Sequence, residues 1–204
     1  MSYFPMYVDF SGKKCLVAGG GPVAFRKAET LYEFGAEILV VSPGILPEIQ
    51  EIPGISCRRK QFEEEDLCGR EIVVAATDDA ALNHRISQAC KERGIFVNAV
   101  DQKEDCSFIF PAYLKEGEVV AAFSSGGQSP AVAQYLKEQM RPVLTPYLGS
   151  LTLCLGGVRE TVRQCTKTEA ERKSIYKEIL SLGLKTGEIP SEQEIFSIIR
   201  NYQS

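Results

Sequence analysis

The run Lys14-Cys15-Leu16-Val17-Ala18-Gly19-Gly20-Gly21-Pro22-Val23-Ala24 sets a short apolar strand directly against a glycine turn and a helix start. Ala24, Ala28, Leu31 and Tyr32 then recur at helical spacing, Gly35 stops the helix, and residues 38–41 form a second apolar strand. Such a unit has to cross over right-handedly into a parallel sheet. The glycines also read as G-x-G-x-x-A. In that pattern Gly19 permits the tight turn, Gly21 lets the backbone approach a pyrophosphate, and Ala24 lets helix and strand pack closely. Pro22 and Val23 open the helix, where free N–H groups and the helix dipole favour an anion. The unit is a candidate dinucleotide cradle, and the competing reading is a plain glycine turn without a ligand.

The same alternation continues. Residues 55–58 are a candidate third strand, and residues 71–77 a fourth, nearly all apolar as a strand buried on both faces must be. Thr77, Asp78 and Asp79 open a helix with Ala81, Leu82, Ile86, Ala89 and Cys90 on one stripe, ending near Gly94. A fifth strand over residues 95–100 closes on Asp101. The pattern predicts an α/β fold, a Rossmann-type doubly wound parallel sheet whose ligands sit beyond the carboxyl ends of its strands. Residues 107–110 and 119–123 then read as two strand-like pieces joined through 115–118. Ser124-Ser125-Gly126-Gly127-Gln128-Ser129-Pro130 is a second glycine-rich turn, with Ser129 as N-cap of a helix to about Met140. Beyond Pro146 the chain is helical in character. Thr168 with Glu171 and Ser191 with Glu194 have capping-box spacing, and Gly183 suits a helix stop between them. The expected divisions are a Rossmann domain over 1–112, a pairing region over 113–146 and a small helical domain over 147–204.

Composition narrows the function classes. With 204 residues, 44% hydrophobic, the chain can bury a sizeable core. A net charge of −4 without a long basic tract argues against general nucleic-acid binding. No apolar run approaches the ~18 residues of a membrane span, and the opening Met1-Ser2-Tyr3-Phe4-Pro5 lacks a charged-then-apolar leader, so no membrane partner and a cytoplasmic location are expected. Seven cysteines without a C-x-x-C pair fit neither a disulfide frame nor a zinc site. Cys15 and Cys90 read as core fillers. The single histidine, His84, reads as a surface residue, and no metal constellation is recognisable.

Four segments together carry a resemblance: Val17 to Ala24 with Arg26-Lys27; Ala75-Ala76-Thr77-Asp78-Asp79; Asn98-Ala99-Val100-Asp101 leading to Ser107-Phe108-Ile109-Phe110-Pro111; and the Ser124 to Pro130 turn. In this order and at these spacings the chain resembles the precorrin-2 dehydrogenase family, which includes the amino-terminal part of siroheme synthases. The resemblance implies NAD-dependent oxidation of precorrin-2 to sirohydrochlorin, a Rossmann domain, a central dimerisation region, a helical carboxyl-terminal domain and a homodimer. It matches Asp101 to the family's essential aspartate, a candidate general base at the end of a central strand. It matches Ser125 to a pocket serine. Asp101 as a simple turn cap, and the Ser125 turn as a simple helix start, are the competing readings.

The remaining candidates follow from position. Gly21, Pro22 and Val23 face the phosphates, Ser42 ends the second strand near the ribose, and Thr77, Asp78 and Asn98 line the crevice. The strand ends Val40-Val41-Ser42-Pro43, without the acidic residue expected for a ribose 2′-hydroxyl and without an obvious neighbouring arginine, so NAD rests on the family. A polycarboxylate substrate needs donors and cations. Ser124, Ser125, Gly126 and Gly127 can supply N–H and hydroxyl groups; Arg26, Lys27, Arg85 and Lys137 are further candidates as cations, with an ordinary solvated face as the competing and favoured reading of each. Two alternatives stand beside the dehydrogenase: a bifunctional enzyme that also inserts iron or cobalt into sirohydrochlorin, and a non-catalytic NAD-sensing protein.

Overall fold

A computed structural model describes residues 3–202; of the opening segment, Met1 and Ser2 lie outside the described residues. The chain forms two compact units, Met1–Phe110 and Pro111–Ser204.

The first unit alternates strands and helices: β1 (Lys14–Ala18), α1 (Pro22–Glu33), β2 (Glu37–Val41), α2 (Pro47–Gln50), β3 (Ser56–Arg58), β4 (Ile72–Ala75), α3 (Ala80–Glu92) and β5 (Phe96–Ala99). All pairings are parallel, in the order β3-β2-β1-β4-β5. The order reverses between β1 and β4, which makes their carboxyl ends the switch point of the sheet. Side chains alternate across each strand, so β1 sends Cys15 and Val17 into the layer with Ala24, Ala28 and Leu31 of α1, and Leu16 and Ala18 into the layer with Ile86, Ala89 and Cys90 of α3. Burial pushes the Cys15 and Cys90 thiols up to about 12, which keeps both as neutral core groups.

Several expected elements shift at their ends. β3, β4 and β5 are shorter than the runs over 55–58, 71–77 and 95–100, whereas β2 begins one residue earlier than its apolar run, at Glu37. Tyr32 and Ala81 leave the buried stripes: the core side of α1 is filled by Ala24, Ala28 and Leu31, and that of α3 takes Asn83 and Ser87 instead. Residues 107–110 are not a strand. Ser107 and Phe108 latch onto the free edge of β5, with Ser107 N–H donating to Val97 O at 2.8 Å, Val97 N–H to Ser107 Oγ at 2.7 Å and Asn98 Nδ2 to Phe108 O at 3.0 Å. Side-chain groups take over half of this pairing, which supplies the edge's hydrogen bonds without extending the ladder.

In the second unit the antiparallel pair is β6 (Ala112–Glu116) with β7 (Val119–Phe123), followed by α4 (Pro130–Met140), α5 (Pro146–Gly157), α6 (Arg159–Cys165), α7 (Glu169–Thr186) and α8 (Glu192–Arg200). Thr168 and Ser191 cap α7 and α8 through complete capping boxes. Gly183 does not stop a helix; it lies inside α7, and Gly187 ends that helix at φ +74°. Packing explains the position, since a Cβ at Gly183 would stand 2.8 Å from Leu151 Cδ1 and 3.1 Å from the Tyr147 hydroxyl. That hydroxyl donates to Gly183 O at 2.6 Å. No helix among the described residues is long and apolar enough to cross a membrane.

Candidate nucleotide site

The glycine bend joins β1 to α1 at the carboxyl edge of the sheet. Gly19 has φ +127°, and a Cβ there would fall 2.2 Å from Ala76 O, so only glycine fits. Its N–H donates to Val41 O at 3.0 Å, which carries the β1–β2 pairing one residue past the strands. Gly20 is held as tightly: its Cβ would lie 2.0 Å from Gly44 O, and its carbonyl accepts from Leu46 N–H at 3.0 Å. This second constraint escaped the sequence pattern, in which Gly20 is a free position. Gly21 is the opposite case. It is the N-cap of α1 at φ −91°, and nothing lies within 4 Å of where its Cβ would be.

No side chain caps α1, and its first turn holds no acidic residue. Pro22 is exposed, Val23 half-buried and Ala24 fully buried against the sheet. The amino end of α1 thus presents backbone donors and positive dipole to open space, the chemistry that suits a diphosphate. The residues present fit a dinucleotide.

Ser42 follows β2, half-buried, and its N–H donates to Arg58 O at 3.2 Å. Parallel pairing therefore sets an arginine beside this strand end, although it is remote in sequence. The Arg58 guanidinium is engaged with Asp66 at 3.4 Å, and that of Arg59 with Gln50 Oε1 at 3.3 Å.

At the end of β4, Thr77 is tied to Asn83, which is 3% exposed: Thr77 N–H and Oγ1 reach Asn83 Oδ1 at 3.1 and 2.7 Å, and Asn83 Nδ2 returns to Thr77 O at 3.0 Å. Asp79 caps α3 through Ala81 and Leu82 N–H, and Asp78 is exposed. Asn98 is buried with its amide turned to Phe108 O, so it builds the wall of this edge.

Asp101 is exposed just past β5 and has φ +60°, the only non-glycine residue with positive φ among the described residues. Aspartate enters the left-handed region more readily than most L-residues, so this backbone suits a turn residue at the strand end. The chain after it is fastened to α3: Gln102 Nε2 donates to Ala80 O at 2.9 Å and Ser87 Oγ to Asp105 O at 2.6 Å. His84, exposed as expected, also holds this turn, with Nδ1 2.8 Å from Asp105 Oδ2. Sequence reasoning missed Asn83, Gln102 and Asp105, whose roles depend on contacts distant in the chain.

In the second unit, Ser125 closes its own turn. Its Oγ donates to Ser129 O at 2.8 Å and accepts from Ser129 N–H at 2.9 Å, while Ser124 Oγ accepts from Gly126 N–H at 3.0 Å. Gly126 and Gly127 have φ +64° and +79°, and Ser129 caps α4.

Known proteins match this arrangement. The family model described as "Putative NAD(P)-binding" matches residues 6–112. The chain is 37% identical over 184 residues to the siroheme synthase of Sodalis glossinidius, covering 89% of this chain and 39% of that protein. It is 35% identical over 193 residues to siroheme synthase 2 of Aeromonas salmonicida, covering 94% and 40%. The chain thus spans about two fifths of the length of these relatives. The solved structure of SirC, precorrin-2 dehydrogenase, superposes with a TM-score of 0.75 at 24% identity, covering 98% of this chain and 99% of that one, and so shares its fold.

Proposed function

The chain belongs to the NAD(P)-binding family, and we propose that it catalyses the NAD-dependent dehydrogenation of precorrin-2 to sirohydrochlorin. The observation that carries this reading is the shared edge: the uncapped amino end of α1 and the Asp101 carboxylate both stand at the carboxyl ends of one parallel sheet, on the two strands' sides of its switch point. When bound, the nicotinamide ring accepts a hydride from the substrate. The protein's part is to hold and to deprotonate. The Gly19–Gly21 bend and the first turn of α1 seat the diphosphate, with Pro22, Val23 and Ala24 shaping that turn. Ser42 faces the ribose, and Thr77, Asp78 and Asn98 form the wall at the ends of β4 and β5. Asp101 is the general base that takes the proton leaving the macrocycle.

NAD as the cofactor is part of this reading: Arg58 meets Ser42 through its backbone carbonyl, and its guanidinium turns to Asp66. Ser124, Ser125, Gly126 and Gly127 form the turn that meets the substrate's carboxylates, the Ser125 hydroxyl holding that turn closed. The reading further includes a cytoplasmic homodimer, with residues 113–146 as dimerisation region and 147–204 as helical domain. Val132, Tyr135 and Leu136 of α4 are exposed and offer an apolar face to a second copy. Anaerobic incubation with precorrin-2 and either NAD or NADP, following reduced nucleotide and the sirohydrochlorin spectrum, tests the reading. Formation of both products with NAD is expected, and absence of sirohydrochlorin with either nucleotide refutes it.

A further inference from the structure

Lys27 is half-buried on α1 between the fully buried Ala24 and Ala28, with Nζ 3.9 Å from the centroid of the Phe110 ring. Phe110 is itself fixed. Its ring meets that of Phe108 at 5.3 Å between centroids, and Phe108 O is held by Asn98. The ammonium is therefore gripped where the glycine helix meets the chain leaving β5. The Asp101 carboxylate acts on it electrostatically, yet none of the ion pairs among the described residues includes Lys27, whereas Lys13, Lys60 and Lys91 each have a carboxylate partner. Burial, and after it the neighbouring Arg26 guanidinium, holds the Lys27 ammonium below the usual lysine range, with Cys106 and Asp101 opposing the shift. A partly desolvated cation without its own counter-ion gains most from an anion that a ligand brings. The position also selects which ligand. Ser42 marks the ribose side of the switch point, whereas Lys27 packs through Phe110 against the segment that follows β5 and Asp101.

We propose that Lys27 receives one carboxylate of the polycarboxylate macrocycle and thereby sets the ring against Asp101, an inference that rests on the dehydrogenase reading above. Sirohydrochlorin serves as the probe, titrated anaerobically by absorbance into the full chain with saturating NAD. Lys27→Gln should weaken its binding about tenfold to a hundredfold, the range of a charge-assisted hydrogen bond. Lys27→Arg should keep binding within about threefold, because the charge remains. Wild-type binding should weaken with salt more steeply than that of Lys27→Gln, a signature a purely structural side chain would not give. In turnover of precorrin-2 the loss should appear in KM far more than in kcat, with NAD affinity unchanged.

The proposal is overturned if Lys27→Gln binds sirohydrochlorin as the wild type does, if its loss is shared equally by NAD, or if the wild type does not bind the macrocycle. The two readings separate cleanly. A wild type that binds sirohydrochlorin through Lys27 without oxidising precorrin-2 refutes the dehydrogenase and retains the subsite. Oxidation of precorrin-2 with an indifferent Lys27→Gln refutes the subsite alone.

Discussion

Gly21→Asp should lose nucleotide affinity without losing stability, and the two effects can be sized separately. The position is an N-cap at φ −91°, and a Cβ added there would have nothing within 4 Å, so an aspartate side chain starts into open space without backbone strain. Aspartate is also a favoured N-cap, better than glycine by a few tenths of a kcal/mol, since its carboxylate accepts an N–H of the first turn. Melting temperature should therefore hold or rise slightly. Binding should move the other way. A carboxylate about 4 Å from a phosphate charge, at the effective dielectric of a protein surface, is repelled by about 4 kcal/mol, and it also occupies the donors the phosphate would use. That corresponds to about a thousandfold loss in affinity. Calorimetric titration with NAD and a thermal melt on the same samples give both numbers. If Gly21→Asp keeps NAD affinity within about threefold of wild type, no diphosphate rests on this helix end.

Asp101→Asn should fold as the wild type, because asparagine tolerates the left-handed backbone at φ +60°, and should bind NAD while turnover falls about 10²–10⁴-fold; unchanged turnover in a steady-state assay removes the base. For Asp66, burial by itself raises the carboxyl, but the Lys60 ammonium at 2.8 Å and the Glu63 N–H at 3.0 Å override it and leave it below the usual aspartate range. Its folded-state value is depressed, so its contribution is present above the unfolded value near pH ~4 and is lost as pH falls through the folded one. Melts between neutral and acid pH should show a shallower acid loss in Asp66→Asn than in wild type. Gly183→Ala should destabilise by about 1–3 kcal/mol through the clash with Leu151 and the Tyr147 hydroxyl, although alanine is the better helix former by about 1 kcal/mol; a raised denaturation midpoint would contradict that packing.

Much of the first unit is legible before folding. The strand–glycine–helix–strand run, the apolar fourth strand and the Asp79 cap are local signals, set by residues within a few positions of one another. The chain after β5 is not. Residues 107–110 carry strand-forming composition, yet they end as a latch because Asn98 and Ser107 supply side-chain partners at the edge of β5. Gly183 looks like a helix stop for the same reason: what it actually does depends on Leu151 and Tyr147, far away in the chain.

The amino-acid order alone determines the kind of sheet, the glycine bend and the place of Asp101 at a strand end, since periodicity, turn chemistry and right-handed crossover act over short spans. Only the tertiary structure decides that Gly20 is as confined as Gly19, that Arg58 stands beside Ser42, that Asp101 is held left-handed, and that Lys27 is gripped by Phe110 without a counter-ion. Each of these rests on atoms brought together by sheet pairing and helix packing, and close contacts between distant residues leave no periodic trace in a sequence.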